Sequence, residues 1–96
     1  MYLANGIKLK DFWEKHRDAE EVLKGWQNHV RRANWSNFAE MRAEYPAADL
    51  VGKYTIFNIK GNNYRLIAQI DYAKQHVAIR EIMPHAEYGK NHWKRR

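Results

Sequence analysis

The chain has no cysteine and only two prolines in 96 residues. Without cysteine there is neither a disulfide framework nor a thiolate metal site, which fits a reducing compartment. No apolar run approaches the length of a bilayer span. The opening MYLANGIKLK lacks the long apolar core of a signal peptide, so a cytoplasmic protein with no membrane partner is expected. No internal repeat, low-complexity tract or flexible linker divides the sequence, and residues 1–96 read as a single domain able to bury one modest core. A composition 45% hydrophobic and 14% aromatic is too rich for a disordered tail.

Acidic residues are scarce in one half. Residues 1–50 hold eight Lys or Arg and eight Asp or Glu, whereas residues 51–96 hold nine against three, so the whole net charge of +6 sits in the second half. A basic surface confined to part of a small domain suits a polyanion, most simply nucleic acid. The competing explanation is the tail Lys94-Arg95-Arg96, which supplies half of the excess and would only aid solubility.

The first half reads as helices. Met1–Leu3 is a short edge strand, followed by an Asn5-Gly6 turn. Leu9, Phe12 and Trp13 recur at helical spacing between Ile7 and His16. Asp18, with Glu21 three residues on, predicts the cap of a second helix whose stripe is Val22, Leu23, Trp26, Val30 and Ala33. Ser36 predicts the cap of a third, buried through Phe38, Met41 and Tyr45 and stopped by Pro46. Residues 46–53 read as a connector. Phe12, Trp13, Trp26 and Trp35 read as packing residues.

The second half reads as a sheet: strands Tyr54–Ile59, Tyr64–Asp71 and Gln75–Met83, the first two joined by the turn Lys60-Gly61-Asn62-Asn63. With turns at Gly61-Asn62 and Ala73-Lys74, strand alternation places Thr55, Phe57, Ile59, Tyr64, Leu66, Ala68, Ile70, Val77, Ile79 and Met83 on a core face. The other face then carries Ile56, Asn58, Lys60, Arg65, Ile67, Gln69, His76, Arg80 and Ile82. In this register Arg65 faces Ile82, and Arg65 and Arg80 are diagonal neighbours. Two guanidinium groups at strand centres suit a phosphate. The alternative is that each pairs with a carboxylate, Asp71 or Glu81, although Glu81 alternates to the core face. The segment from Pro84 to Trp93 predicts a short helix with His85, Tyr88 and His92 on one side. His85 and His92 would be poor metal ligands, being seven apart with no cysteine and no obvious third ligand.

FNIKGNNYRLIAQIDY followed by HVAIREIMPHAEYGK resembles the HigB-type toxins of bacterial toxin–antitoxin modules, within the RelE-like superfamily. DFWEKHRDAEEVL and WSNFAEMRAEYP fit the same pattern, so the resemblance covers essentially the whole chain. It implies an α+β fold, with N-terminal helices on one face of a small antiparallel sheet and a short C-terminal helix. It implies a cofactor-free endoribonuclease that cleaves mRNA, generally on translating ribosomes, by attack of a ribose 2′-OH on the adjacent phosphate. It also implies a helix-turn-helix antitoxin of the HigA type, in a heterotetramer or larger assembly. The family's basic strand positions fall on Arg65 and Arg80, and its His-x-Glu-Tyr segment on His85 and Tyr88. Pro84 and Gly89 stand where many relatives have Thr and Asp. On this reading Arg65, Arg80, His85 and Tyr88 are catalytic, with His92 a second proton-transfer candidate. Asn58, Lys60, Asn62, Lys90, Lys94, Arg95 and Arg96 would bind RNA. The competing class is a non-catalytic RNA- or DNA-binding module.

Overall fold

Helical spacing in the first half and strand alternation in the second produce an α+β fold in the computed structural model, which describes residues 1–90. Strands β1 (Tyr2–Ala4), β2 (Asp49–Val51), β3 (Tyr54–Ile59), β4 (Tyr64–Asp71) and β5 (His76–Pro84) form one sheet in the order β1-β5-β4-β3-β2. Helices α1 (Ile7–Lys15), α2 (Glu20–Arg32) and α3 (Phe38–Glu44) supply the apolar stripes, and α4 (His85–Gly89) follows β5. The sheet is mixed rather than purely antiparallel, because β1 pairs parallel to β5. β2 is a strand that the expected connector conceals. Gly52, at φ +60°, turns it back onto β3 with Val51 opposite Tyr54.

The core forms where the helix stripes meet one sheet face. Leu9, Leu23, Trp26, Val30 and Met41 pack with Phe57, Ile59, Leu66, Ala68, Val77 and Ile79. Phe57 sits between rings, 5.2 Å from Trp26 and 5.3 Å from Tyr45. The four helix-region aromatics are packing residues as expected, with Trp26 and Trp35 buried and Phe12 and Trp13 against the core. Val22, expected in the stripe of α2, is 40% exposed at its edge.

Two caps differ from expectation. Asp18 does not cap α2: it lies in a 3₁₀ turn (Arg17–Ala19), and its carboxylate accepts the Tyr64 hydroxyl at 2.6 Å. A partner 46 residues away thus outcompetes the local amides. α3 is capped by Asn37 rather than Ser36. Asn37 Oδ1 accepts from the Glu40 amide at 2.9 Å, and Glu40 Oε1 accepts from the Ser36 amide at 2.8 Å. Asn37 thus caps the helix one residue later than expected, and the Glu40 side chain reaches back past it to the Ser36 amide, a variant of the capping box.

The first hairpin keeps its expected register, with Asn58 opposite Arg65 and Ile56 opposite Ile67. Its positive φ values fall on Lys60 (51°) and Gly61 (62°). The second hairpin keeps its register from Asp71↔His76 to Ala68↔Ile79 and then shifts by one residue. Ile67 pairs with Glu81, Leu66 with Ile82 and Arg65 with Met83, so Arg80 is the extra residue of a β-bulge. The shift exchanges the faces beyond it: Ile82 joins the main core, and Met83 moves to the opposite face. Glu81 comes to that face too, opposite Ile67, and the expected pairings Arg65–Ile82 and Ile67–Arg80 do not form.

The face away from α1–α3 is not simply polar. Ile56 and Ile67, 2% and 1% exposed, form a second small cluster with Val51, Tyr54, Met83 and Tyr88. Tyr88 of α4 therefore covers one end of the sheet's second face.

Candidate functional site

Arg65 is the buried charge of this second face. It is a strand residue between Tyr64 and Leu66, paired across to Asn58 and Met83, and only 8% exposed. Its guanidinium is held by the preceding turn. Nη2 donates to Asn62 Oδ1 at 2.9 Å, and Nη1 donates to the Tyr64 carbonyl at 3.2 Å and the Asn62 carbonyl at 3.4 Å. The Tyr88 ring lies over it, 5.7 Å from ring centre to Cζ, in cation–π range. No Asp or Glu among the described residues is within ion-pairing distance of Arg65. The expected alternative, pairing with Asp71 or Glu81, is therefore absent for this arginine. Among the described residues this buried cation meets neutral oxygens and a π face, which leave its charge uncompensated.

α4 delivers two more residues to this end of the sheet. The His85 amide donates to the Asn63 carbonyl at 3.0 Å, so the turn that holds Arg65 also anchors the first residue of α4. Pro84 ends β5 in extended conformation and starts the helix, as a fixed φ allows. The His85 side chain is exposed. Tyr88 is half-buried: burial pushes its phenol up, the Asp49 carboxylate adds to the rise, and Arg65 pulls the other way. A phenol held above its ordinary value stays protonated at neutral pH, and so donates a proton more readily than it accepts one.

The remaining predicted residues are not all gathered here. Arg80 is exposed at the bulge, three residues along β5 from Met83, about 10 Å of strand. Its carbonyl accepts the Lys8 ammonium at 2.9 Å, while its guanidinium has no partner among the described residues. Lys60 turns toward the helix side, donating to the Asp18 carbonyl at 3.2 Å and approaching Asp18 Oδ2 at 3.7 Å. There the Tyr64 hydroxyl, with Lys60 behind it, holds the Asp18 carboxyl below the usual range. Lys90 approaches Glu87 at 3.6 Å in an exposed pair, which contributes little. Asn58 is exposed beside Arg65, and Asn62 contacts Arg65 directly. His92, Lys94, Arg95 and Arg96 lie outside the described residues. Asp49 is a neighbour that sequence reasoning missed, because β2 itself was missed. An open cleft of about 660 Å³, lined by Gln69, Asp71, Lys74 and His76 among others, occupies the opposite end of β4.

The chain matches the family described as HigB toxin, RelE-like toxic component of a toxin–antitoxin system, over residues 19–91. It is 30% identical over 91 residues to the mRNA interferase toxin HigB of Escherichia coli K12, covering 92% of this chain and 88% of that one. The mRNA interferase HigB of Shigella flexneri matches equally, at 30% over 91 residues. That of Escherichia coli O6:H1 is 31% identical over 93 residues, covering 94% of this chain and 90% of its own. Matched over most of its length by the family and by these relatives alike, the chain belongs to the HigB toxins, RelE-like toxic components of toxin–antitoxin systems.

Proposed function

We propose that this toxin is a metal-independent endoribonuclease that cleaves mRNA on translating ribosomes, with Arg65 receiving the scissile phosphate. The observation that carries this reading is the buried Arg65, its guanidinium under the Tyr88 ring with no carboxylate among the described residues to neutralise it. In the reaction a ribose 2′-oxygen attacks the adjacent phosphorus and the bond to the 5′-oxygen breaks. The products are a 2′,3′-cyclic phosphate and a 5′-hydroxyl. Arg65 stabilises the charge that develops on the phosphorane, the kind of preorganised electrostatics that contributes most to such reactions. Arg80, whose guanidinium has no partner among the described residues, is the second cation. His85, exposed at the start of α4 and of a type that exchanges protons near neutrality, takes the 2′-OH proton. Tyr88, kept protonated, donates to the leaving 5′-oxygen. His92 is the reserve for one of these roles. Asn58, Lys60, Lys90 and the tail Lys94, Arg95 and Arg96 bind the flanking RNA or ribosomal phosphates with marked salt dependence. The partner that silences the activity is a helix-turn-helix antitoxin of the HigA type, bound in a heterotetramer or larger complex. Among the described residues no helix is long and apolar enough to cross a membrane, and work on ribosomes sets the toxin in the cytoplasm.

The test is cleavage of a translated reporter mRNA in cell extract, mapped as new 5′ ends, with EDTA added after ribosome assembly is fixed by crosslinking. Parent protein yields cuts that survive EDTA, and Arg65→Ala, His85→Ala and Tyr88→Phe each make them at least about 10²-fold more slowly while remaining folded. Binding of RNA with no new ends in the parent protein would replace this reading with a passive nucleic-acid-binding module.

A further inference from the structure

We infer that Asn62 is a positioning residue: it acts on RNA through Arg65, aiming the guanidinium at the scissile phosphate without neutralising it. The inference rests on the nuclease reading above and deepens it. Asn62 sits in the exposed turn between β3 and β4, where a side chain is free to serve solvent or substrate. Instead it contributes both of its oxygens to one guanidinium, Oδ1 at 2.9 Å from Nη2 and the carbonyl at 3.4 Å from Nη1. The Tyr64 carbonyl takes a second bond from Nη1 at 3.2 Å, and Tyr88 covers the group. These contacts use donors on both terminal nitrogens and fix the guanidinium plane. A carboxylate at position 62 would make the same bonds and also cancel the charge. An amide orients Arg65 and leaves its charge for an anion. The adjacent Asn63 carbonyl, holding the His85 amide at 3.0 Å, gives the same turn control over the start of α4.

Three variants test this: Asn62→Ala, Asn62→Asp and the double variant with Arg65→Ala. Each is measured by urea unfolding and by the maximal rate of reporter-mRNA cleavage at saturating toxin. Asn62→Ala frees the guanidinium to swing, and the maximal rate falls on the order of 10- to 100-fold, the scale of a small misplacement of a catalytic group. Asn62→Asp raises the urea midpoint while lowering the rate, since it adds an ion pair and removes the free charge. A merely structural role would move stability and rate in the same direction. Because Asn62 acts through Arg65, the double variant cleaves no more slowly than Arg65→Ala alone. Additive losses in the double variant would show direct contact of Asn62 with RNA and overturn the inference. So would full activity in Asn62→Asp. Parental cleavage by Arg65→Ala would overturn the inference together with the role of Arg65, a result separable from the first two.

Discussion

Replacing Arg65 by methionine should cost activity and spare stability. At 8% exposure Arg65 has lost most of its hydration. Desolvating a charge of that kind costs several kcal/mol even after relaxation. Its three hydrogen bonds go to neutral oxygens of Asn62 and Tyr64, and no carboxylate among the described residues adds ion-pair energy. Bonds to a charged donor contribute roughly 1.5–3 kcal/mol each, so the two sides nearly cancel. Methionine has similar length, fills the space under Tyr88, and joins an apolar surround of Ile56, Ile67 and Met83. The two Asn62 oxygens lie at an exposed turn where water replaces the lost donor, and only the Tyr64 carbonyl loses a buried one. The expected net change lies between a loss of about 1 and a gain of about 2 kcal/mol, against about 2–5 kcal/mol lost on truncating a fully buried neighbour such as Leu66→Ala. Urea unfolding with an unchanged m-value measures the difference directly. Cleavage should fall by at least about 10²–10³-fold, the loss seen on removing one preorganised electrostatic group. A loss of stability like that of Leu66→Ala would refute the reasoning, because Arg65 would then be a structural residue.

Two further outcomes follow from the packing. Phe57→Ala should lose about 3–5 kcal/mol in urea unfolding, because the ring bridges Trp26 on α2 and Tyr45 after α3; a loss below about 1 kcal/mol would mean that the helices are not seated on it. Tyr45 is pushed up to about 12 by burial and then by the Glu44 carboxylate. Its folded value exceeds the unfolded one, so the protonated phenol stabilises the fold fully below about pH 10, and that contribution is lost as pH rises toward the folded value. Tyr45→Phe should flatten this alkaline limb in thermal melts between pH 9 and pH 12, and an unchanged limb would assign it to Tyr64, Tyr72 or Tyr88, whose phenols are also raised.

Local pattern carried the helices and the first hairpin because their determinants are local. Alternation from Thr55 to Ile70 and the Lys60–Asn63 turn left one register that buried an apolar row, and Phe57, Leu66 and Ala68 are in the core accordingly. The bulge at Arg80 escaped because either parity beyond it puts one apolar residue on each face. The signal was nonetheless present: Arg80-Glu81 and Ile82-Met83 are like pairs at consecutive positions, which an uninterrupted strand of period two would not place side by side. β2 escaped because three residues between Pro46 and Gly52 are too few to show a period, although Gly52 itself is a hairpin signal. The Asp18 cap failed for a different reason. Its carboxylate serves Tyr64, a contact created only when β4 packs beneath the 3₁₀ turn. At the site, the residue types were legible, but the burial of Arg65 and its stacking on Tyr88 depend on where α4 lands.

α4 has five residues, far below the length at which a helix holds itself in water. Its position must come from tertiary contacts, of which two stand out among the described residues. One is the His85 amide on the Asn63 carbonyl; the other is the Tyr88 ring over Arg65, in the cluster with Ile56 and Ile67. Tyr88 thus has two separable duties: its ring seats α4 and walls Arg65 from solvent, and its hydroxyl is the proton donor of the proposed reaction. The ring's duty explains why Ile56 and Ile67 are buried on the face expected to be polar. An apolar floor lets a short helix dock where the chemistry needs it, and it strengthens every electrostatic interaction made there. Pro84 serves the same arrangement, since a fixed extended residue at the end of β5 directs the chain back over β4 whether or not a side chain caps the helix. A Thr at that position would add a cap that the docked ring and the Asn63 carbonyl make dispensable.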